Sequence, residues 1–262
     1  MSGLRIAREG TFVRVILDRP EVRNAFNAAL IGELRATFDE LSREPPEALR
    51  GIVLSGDGPV FCAGADVDWM RASIGLSVTE NERDAAAMQA MFLAIDGCPV
   101  PVIVRVQGAA LGGAMGLCAV GDIVVATRHA TFGFTETQLG LIPAVISTFV
   151  LPKIGESQAR ALFASGMRFE ADRARAIGLV HEVLDNVAAL DARVAALLDE
   201  LRSAGPTAAR AAKALIRELR SLDPDEARRH TVRHIAQQRA SPEGQEGLTA
   251  FLDKRSPRWR DA

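Results

Sequence analysis

Two short apolar runs, each leading into a crowd of small residues, constrain this chain of 262 residues more than any other feature. Gly51-Ile52-Val53-Leu54-Ser55 precedes Phe61-Cys62-Ala63-Gly64-Ala65-Asp66-Val67, and Val102-Ile103-Val104-Arg105-Val106 precedes Gly108-Ala109-Ala110-Leu111-Gly112-Gly113. A short apolar run without polar alternation reads as a strand buried on both faces, the kind found in parallel sheets covered by helices. Small residues after such a strand let the backbone approach a ligand and leave N–H groups uncovered. Two of these aimed at one point form an oxyanion hole for a thioester or ester carbonyl. Either segment alone reads more simply as a tight strand-to-helix turn.

The flanking sequence supports an α/β domain. Leu4 to Ala7 and Thr11 to Leu17, separated by Glu9-Gly10, predict a hairpin, its second arm rich in β-branched residues. From Asn27 the apolar positions Leu30, Leu34, Phe38 and Leu41 recur at steps of three and four, an amphipathic helix that Pro45-Pro46 must stop. A helix over about 79–95, a strand over 101–106, a short helix from Gly112 and a strand over 122–126 follow. Past residue 185 the character changes. Stretches 185–203, 206–222, 224–239 and 242–254 all read as helices, with Pro206, Pro224 and Pro242 at first-turn positions. Their apolar faces must pack on the chain's own core or on another subunit.

Taken in order and spacing, the two glycine-bearing segments and the later Phe132-Gly133-Phe134-Thr135-Glu136 resemble the crotonase (enoyl-CoA hydratase/isomerase) family, over essentially all of the chain. The resemblance implies a crotonase-like (ClpP/crotonase) α/β fold: a spiral core of strand–helix units over 1–185, then a helical region over 186–262 that builds a homotrimer or a hexamer as a dimer of trimers. It implies an acyl-CoA thioester substrate, coenzyme A being part of that substrate, with no separate cofactor and no metal. The backbone N–H groups of Ala65 and Gly113 then hold the thioester oxygen, and Glu136 is the acid–base residue. Its apolar flanks, Phe132 to Phe134 and Leu139 to Pro143, predict a carboxyl whose pKa is raised by desolvation.

Two-glutamate hydratases of this family carry a second acid shortly after the glycine turn, where this chain has Gly116. One carboxylate must then handle both proton transfers, or a water or another side chain must take the place of the second acid. The chosen expectation is hydration of a 2-enoyl-CoA. A Δ3,Δ2-enoyl-CoA isomerase is the same-scaffold alternative, and a non-catalytic CoA- or RNA-binding member the alternative of another class. The wording of 61–70 and of Ile142-Pro143-Ala144-Val145-Ile146-Ser147-Thr148-Phe149-Val150 looks like that of bacterial methylglutaconyl-CoA and carboxygeranoyl-CoA hydratases, implying a branched or carboxylated acyl group.

For coenzyme A, the resemblance implies charge from Arg23, close backbone approach at Ala25, and contacts with the adenine from Ala63, Asp66 and Val67, with Ala65 and Gly112 also among the residues that meet it. Phe251 and Lys254 match a tail that commonly reaches coenzyme A across a subunit interface. Plainer roles compete: Arg23 as a solvated turn charge, Phe251 as helix core, Lys254 as a cation at a helix C-terminus.

Bulk properties exclude other classes. A net charge of −2 and the lack of a basic stripe argue against nucleic acid and anionic membranes as partners. The N-terminal residues lack an apolar signal core and no apolar run reaches ~18 residues, which points to the cytoplasm. Cys62, Cys98 and Cys118 lie in apolar surroundings without metal-ligand spacing and are expected to be buried thiols. His230 and His234, four apart among Arg228, Arg229 and Arg233, are expected on a solvated basic face.

Overall fold

The computed structural model describes residues 3–260. Strands β1 (Leu4–Glu9), β2 (Phe12–Leu17), β3 (Gly51–Gly56) and β4 (Val102–Val106) open the main sheet. After the short β5 (Ala109–Leu111) it continues with β6 (Ile123–Thr127) and, beyond β7 (Thr131–Gly133) and β8 (Arg168–Glu170), with β9 (Glu182–Leu184). The β1–β2 pair is the expected antiparallel hairpin, and every pairing from β2 through β3, β4 and β6 to β9 is parallel. A second small sheet pairs β5 parallel to β7 and β7 antiparallel to β8.

Both faces of the main sheet are covered, which explains its unalternated composition. Ile52, Leu54, Val102, Val104 and Val124 belong to the large core. Helices α1 (Ala28–Leu41), α2 (Val67–Ser73), α3 (Val78–Asp96), α4 (Gly113–Val120), α5 (Ala144–Ser165) and α6 (Ala171–Ala176) surround it. The intervening residues Val53, Ile103 and Val125 join Phe12 in a second cluster with Leu190, Val194, Leu197 and Leu198 of α7 (Val187–Ser203). The two clusters follow from the period-two alternation of a strand. Helix α1 starts where the sequence indicates: the Asn27 side chain accepts from the Leu30 N–H at 2.9 Å, and Leu30, Leu34, Phe38 and Leu41 are buried.

Thus α7, the first helix past residue 185, closes the chain's own core. The helices α8 (Pro206–Leu219), α9 (Pro224–Ala240) and α10 (Pro242–Leu252) bury among them only Ala250. Helix α8 docks at the N-terminal ends of the parallel strands. Lys213 Nζ donates to the Val100 carbonyl at 3.0 Å and pairs with Asp122 at 2.6 Å, while Arg210 reaches the Leu49 carbonyl. Ile216, Val232, Ile235, Leu248, Phe251 and Leu252 remain exposed on these helices, Phe251 at 81%. Among the described residues, no helix is long and apolar enough to cross a membrane.

Candidate active site

The C-terminal ends of β3 and β4 lead into the two small-residue segments, and hydrogen bonds join these segments directly. Phe61 N–H donates to the Gln107 carbonyl at 2.8 Å, Cys62 N–H to Ala109 at 3.1 Å, and Leu111 N–H returns to the Cys62 carbonyl at 3.2 Å. Gly64 follows at φ 95°, and a Cβ there would lie 2.8 Å from the Leu111 carbonyl oxygen. Both the conformation and the close approach demand glycine. Asn24, buried with φ 56°, ties the first segment down by donating to the carbonyls of Asp57 and Val60.

This packing uses several of the nearby N–H groups and leaves others free. Phe26 N–H donates to Gly64 at 2.7 Å, Asp66 N–H to Phe26 at 2.8 Å, and Gly112 N–H to Gly133 at 2.8 Å. The N–H groups of Ala65 and Gly113 donate to no acceptor among the described residues. Gly113 begins α4, so its N–H is one of the helix's orphan donors and sits at the positive end of the helix dipole. Gly112, the residue before it, has φ 53°, again a glycine conformation.

Glu136 stands beside this helix start. A Cβ on Gly112 would lie 3.6 Å from Glu136 Oε1, so the carboxyl rests against the turn that presents Gly113. Glu136 Oε2 is buried and has no hydrogen-bond partner among the described residues. Burial pushes the carboxyl above its ordinary pKa, against a smaller opposing pull from its own backbone. The residue lies on a 3-10 turn over Thr135–Leu139 that is clamped to the C-terminal end of α5. Thr137 Oγ1 donates to the Phe163 carbonyl at 2.9 Å and Gln138 Nε2 to the Gly166 carbonyl at 2.8 Å. Phe134 packs edge-on to Phe163 at 4.7 Å. Thr137 and Gln138 were not evident from the sequence, because their partners lie on a helix more than twenty residues ahead.

On the buried face of α4, Gly116 has no room for a side chain. A Cβ would meet Ile146 Cγ2 and Phe92 Cζ at 2.5 Å each. Phe92 and Ile146 are themselves buried, and Phe92 packs on Phe149 at 5.8 Å. One turn earlier, a Cβ on Gly113 would touch the Phe26 ring at 3.2 Å and Met88 Cε at 4.0 Å. The volume next to the glycine face is therefore hydrocarbon.

The remaining residues singled out for coenzyme A divide into two groups. Arg23 (φ 54°), Ala25, Ala63, Asp66 and Val67 gather along the first segment: Ala63 N–H donates to the Arg23 carbonyl at 3.0 Å and Arg19 Nη1 to the Ala25 carbonyl at 2.6 Å. The buried Asp66 carboxylate is engaged by Arg19 at 2.7 Å and caps α2 through the Asp68 N–H at 2.9 Å. Burial works to raise its pKa, but Arg19 and the N–H groups of Asp68 and Trp69 outweigh this and hold it below the usual value. Val67 is exposed, as is Arg23. Phe251 and Lys254 belong to the other group. They sit at the end of the α8–α10 array, whose anchor is the opposite end of the strands from Gly64 and Gly112.

The three cysteines are buried and unpaired, and burial pushes the Cys62 thiol up to about 12. The histidine pair departs from expectation. The His230 side chain is only 18% exposed, and its Nε2 lies 2.7 Å from Glu218 Oε2 on the neighbouring helix.

The sequence model of the enoyl-CoA hydratase/isomerase family matches residues 7–262. A putative enoyl-CoA hydratase from Thermus thermophilus is 31% identical over 251 residues, 96% of this chain and 98% of that protein. A crotonyl-CoA hydratase from Syntrophomonas wolfei is 32% identical over 251 residues, covering 95% of each. The crystal structure of an enoyl-CoA hydratase from Shewanella pealeana superposes with a TM-score of 0.92 at 36% identity, over 98% of this chain and 96% of that one. Similar in sequence from end to end and alike in the course of its backbone, the chain belongs to the enoyl-CoA hydratase/isomerase, or crotonase, family.

Proposed function

We propose that the protein adds water across the double bond of a 2-enoyl-CoA thioester, with Glu136 as its single acid–base group. The observation that carries this reading is the Glu136 carboxyl, buried and partnerless at Oε2, against the start of α4 where the Gly113 N–H is free. In this mechanism the thioester oxygen accepts from Ala65 and Gly113, each donor worth on the order of 3 kcal/mol as negative charge develops. The Glu136 carboxylate takes a proton from water as the oxygen bonds to Cβ. The resulting acid returns a proton to Cα, so the carboxylate is restored. Desolvation brings its pKa nearer the working pH, where giving and taking a proton are balanced.

Hydratase names among the relatives support water addition over isomerisation. A branched or carboxylated acyl group is the one that the sequence resemblance implies. One observation favours a second reading. With Gly116 walled in, a lone carboxylate is also suited to moving a proton between Cα and Cγ, the Δ3,Δ2-isomerase reaction. Coenzyme A is expected along 23–25 and 63–67. A trimer or hexamer is expected to bring Phe251 and Lys254 from one protomer to the site of the next, since the α8–α10 array that carries them is anchored at the far end of the strands through α8. The cytoplasm is the expected compartment.

The test is a panel of 2-enoyl- and 3-enoyl-CoA thioesters with product mass as readout. Hydration adds one water to a 2-enoyl substrate, whereas isomerisation converts a 3-enoyl substrate without change of mass. Mass-neutral conversion alone would replace the hydratase reading, and inertness towards the whole panel would overturn both.

A further inference from the structure

Away from the acyl-CoA site, two helices bring three metal-ligating side chains together. His230 and His234 are one turn apart on α9, so they project from the same face. Their rings lie 3.9 Å apart, centroid to centroid. Glu218, from the last turn of α8, points its Oε2 at both: 2.7 Å from His230 Nε2 and 3.9 Å from His234 Nε2. One donor atom from each residue lies within 4.8 Å of the others, and all three residues are half-buried.

We propose that Glu218, His230 and His234 form a binding site for a first-row divalent cation, of which zinc is the prototype. Two imidazoles and one carboxylate are the donor set that suits zinc, with a fourth position left to water. A tetrahedral zinc at about 2.0–2.2 Å from each ligand holds its donors roughly 3.3 Å apart. The two Glu218–histidine separations of 2.7 and 3.9 Å straddle that spacing, and all three donor atoms lie within 4.8 Å of one another, so the ion would be seated by side-chain adjustment. Without a cation, His230 takes Glu218 Oε2 at hydrogen-bond distance and His234 is left beyond it. With one, all three donors are used.

The site's role is structural. Helix α8 docks at the N-terminal ends of the strands, away from Glu136, so the cation would fasten α9 to α8 rather than join the chemistry. Arg228 of the same helix is paired with Asp225, and Asp223 and Glu226 add negative charge in the first turn, which offsets the neighbouring arginines.

The test is titration of tag-free, chelator-treated protein with Co²⁺ and Zn²⁺, reading Co²⁺ ligand-field absorption, calorimetric stoichiometry and melting temperature. Expected are one ion per chain, the absorption pattern of a tetrahedral or five-coordinate Co²⁺ with nitrogen ligands, and a rise in melting temperature with Zn²⁺. Loss of an outer-shell partner alone costs ~10–100-fold in affinity, so His234→Gln and Glu218→Gln should each weaken binding at least ~10-fold. Turnover without added metal should stay at the wild-type level in both variants. His234→Gln tests the ligand not already engaged by Glu218, so its folding is the less exposed to the change. Absence of binding, or binding unchanged in both variants, overturns the proposal.

Discussion

The Phe92 ring occupies the space that a side chain at Gly116 would need: a Cβ there would come within 2.5 Å of Phe92 Cζ and as close to Ile146. By the sequence resemblance, this is the position at which two-glutamate hydratases are expected to carry a second acid. Here that place is taken by packed hydrocarbon, and α4 offers Glu136 no acidic partner.

Restoring the acid should therefore fail. Gly116→Glu forces Phe92 and Ile146 aside and buries a carboxyl among them, at a cost of about 1–3 kcal/mol for the overpacking alone. The melting temperature should fall by several degrees, at about 2–4 °C per kcal/mol for a chain of this size, with no gain in hydration. Faster hydration at an unchanged melting temperature would show that the acyl side of α4 is far looser than its packing indicates.

The clamp on the Glu136 turn should matter for turnover. Thr137→Val and Gln138→Leu together remove both side-chain bonds to the end of α5. Small misplacements of a reacting group are costly, so kcat should drop about 10-fold or more, with KM within about a factor of two. Thr137→Ser, which keeps the hydroxyl, should behave like wild type. Steady-state kinetics at matched folded fraction checks this, and an unchanged kcat in the double variant would remove the clamp from the mechanism.

Glu136 should also leave a pH signature in stability. Burial raises its pKa in the folded protein above the ordinary value of 4.5. Below that value both folded and unfolded chains hold the proton. As pH rises through the raised folded pKa, the native carboxyl must ionise in an apolar site, and the stability of its protonated form is lost. Glu136→Gln stays neutral throughout. Its melting temperature should match wild type near pH 4 and exceed it increasingly towards neutrality. A difference that does not change with pH would mean that the carboxyl is not desolvated.

The exposed apolar end of α10 bears on assembly. Phe251 and Leu252 are 81% and 77% exposed. If they seal the proposed trimer or hexamer, replacing both by serine should shift sedimentation towards smaller species and raise KM for the acyl-CoA. Wild-type sedimentation and KM in that variant would place the interface and the coenzyme A contact elsewhere.

Sequence patterning disclosed the elements whose periodicity is strong and left out those fixed by tertiary pairing. The hairpin, the capped α1 and the apolar β3 are dictated locally, by β-branched residues, by Asn27 and by burial on both faces. Strands β5, β7, β8 and β9 have three residues each, too few for an alternation to register, and exist because they pair. Gly64, Gly112 and Glu136 stood out through their motifs, but Thr137, Gln138 and Asn24 did not. Their importance lies in carbonyl partners that only the folded chain brings near. For the same reason the His230–His234 pair read as a solvated face: Glu218 reaches it from another helix.

The most direct test of the single-carboxylate mechanism is kcat for Glu136→Gln beside its affinity for an acyl-CoA thioester. The substitution keeps size and hydrogen-bonding capacity and removes proton transfer, which is worth about 10²–10⁴-fold. Expected is a loss of kcat of at least ~10²-fold with affinity largely retained, because the donors from Ala65 and Gly113 are untouched. Wild-type kcat in a correctly folded Glu136→Gln protein would contradict Glu136 as the acid–base group, whichever reaction the thioester panel identifies.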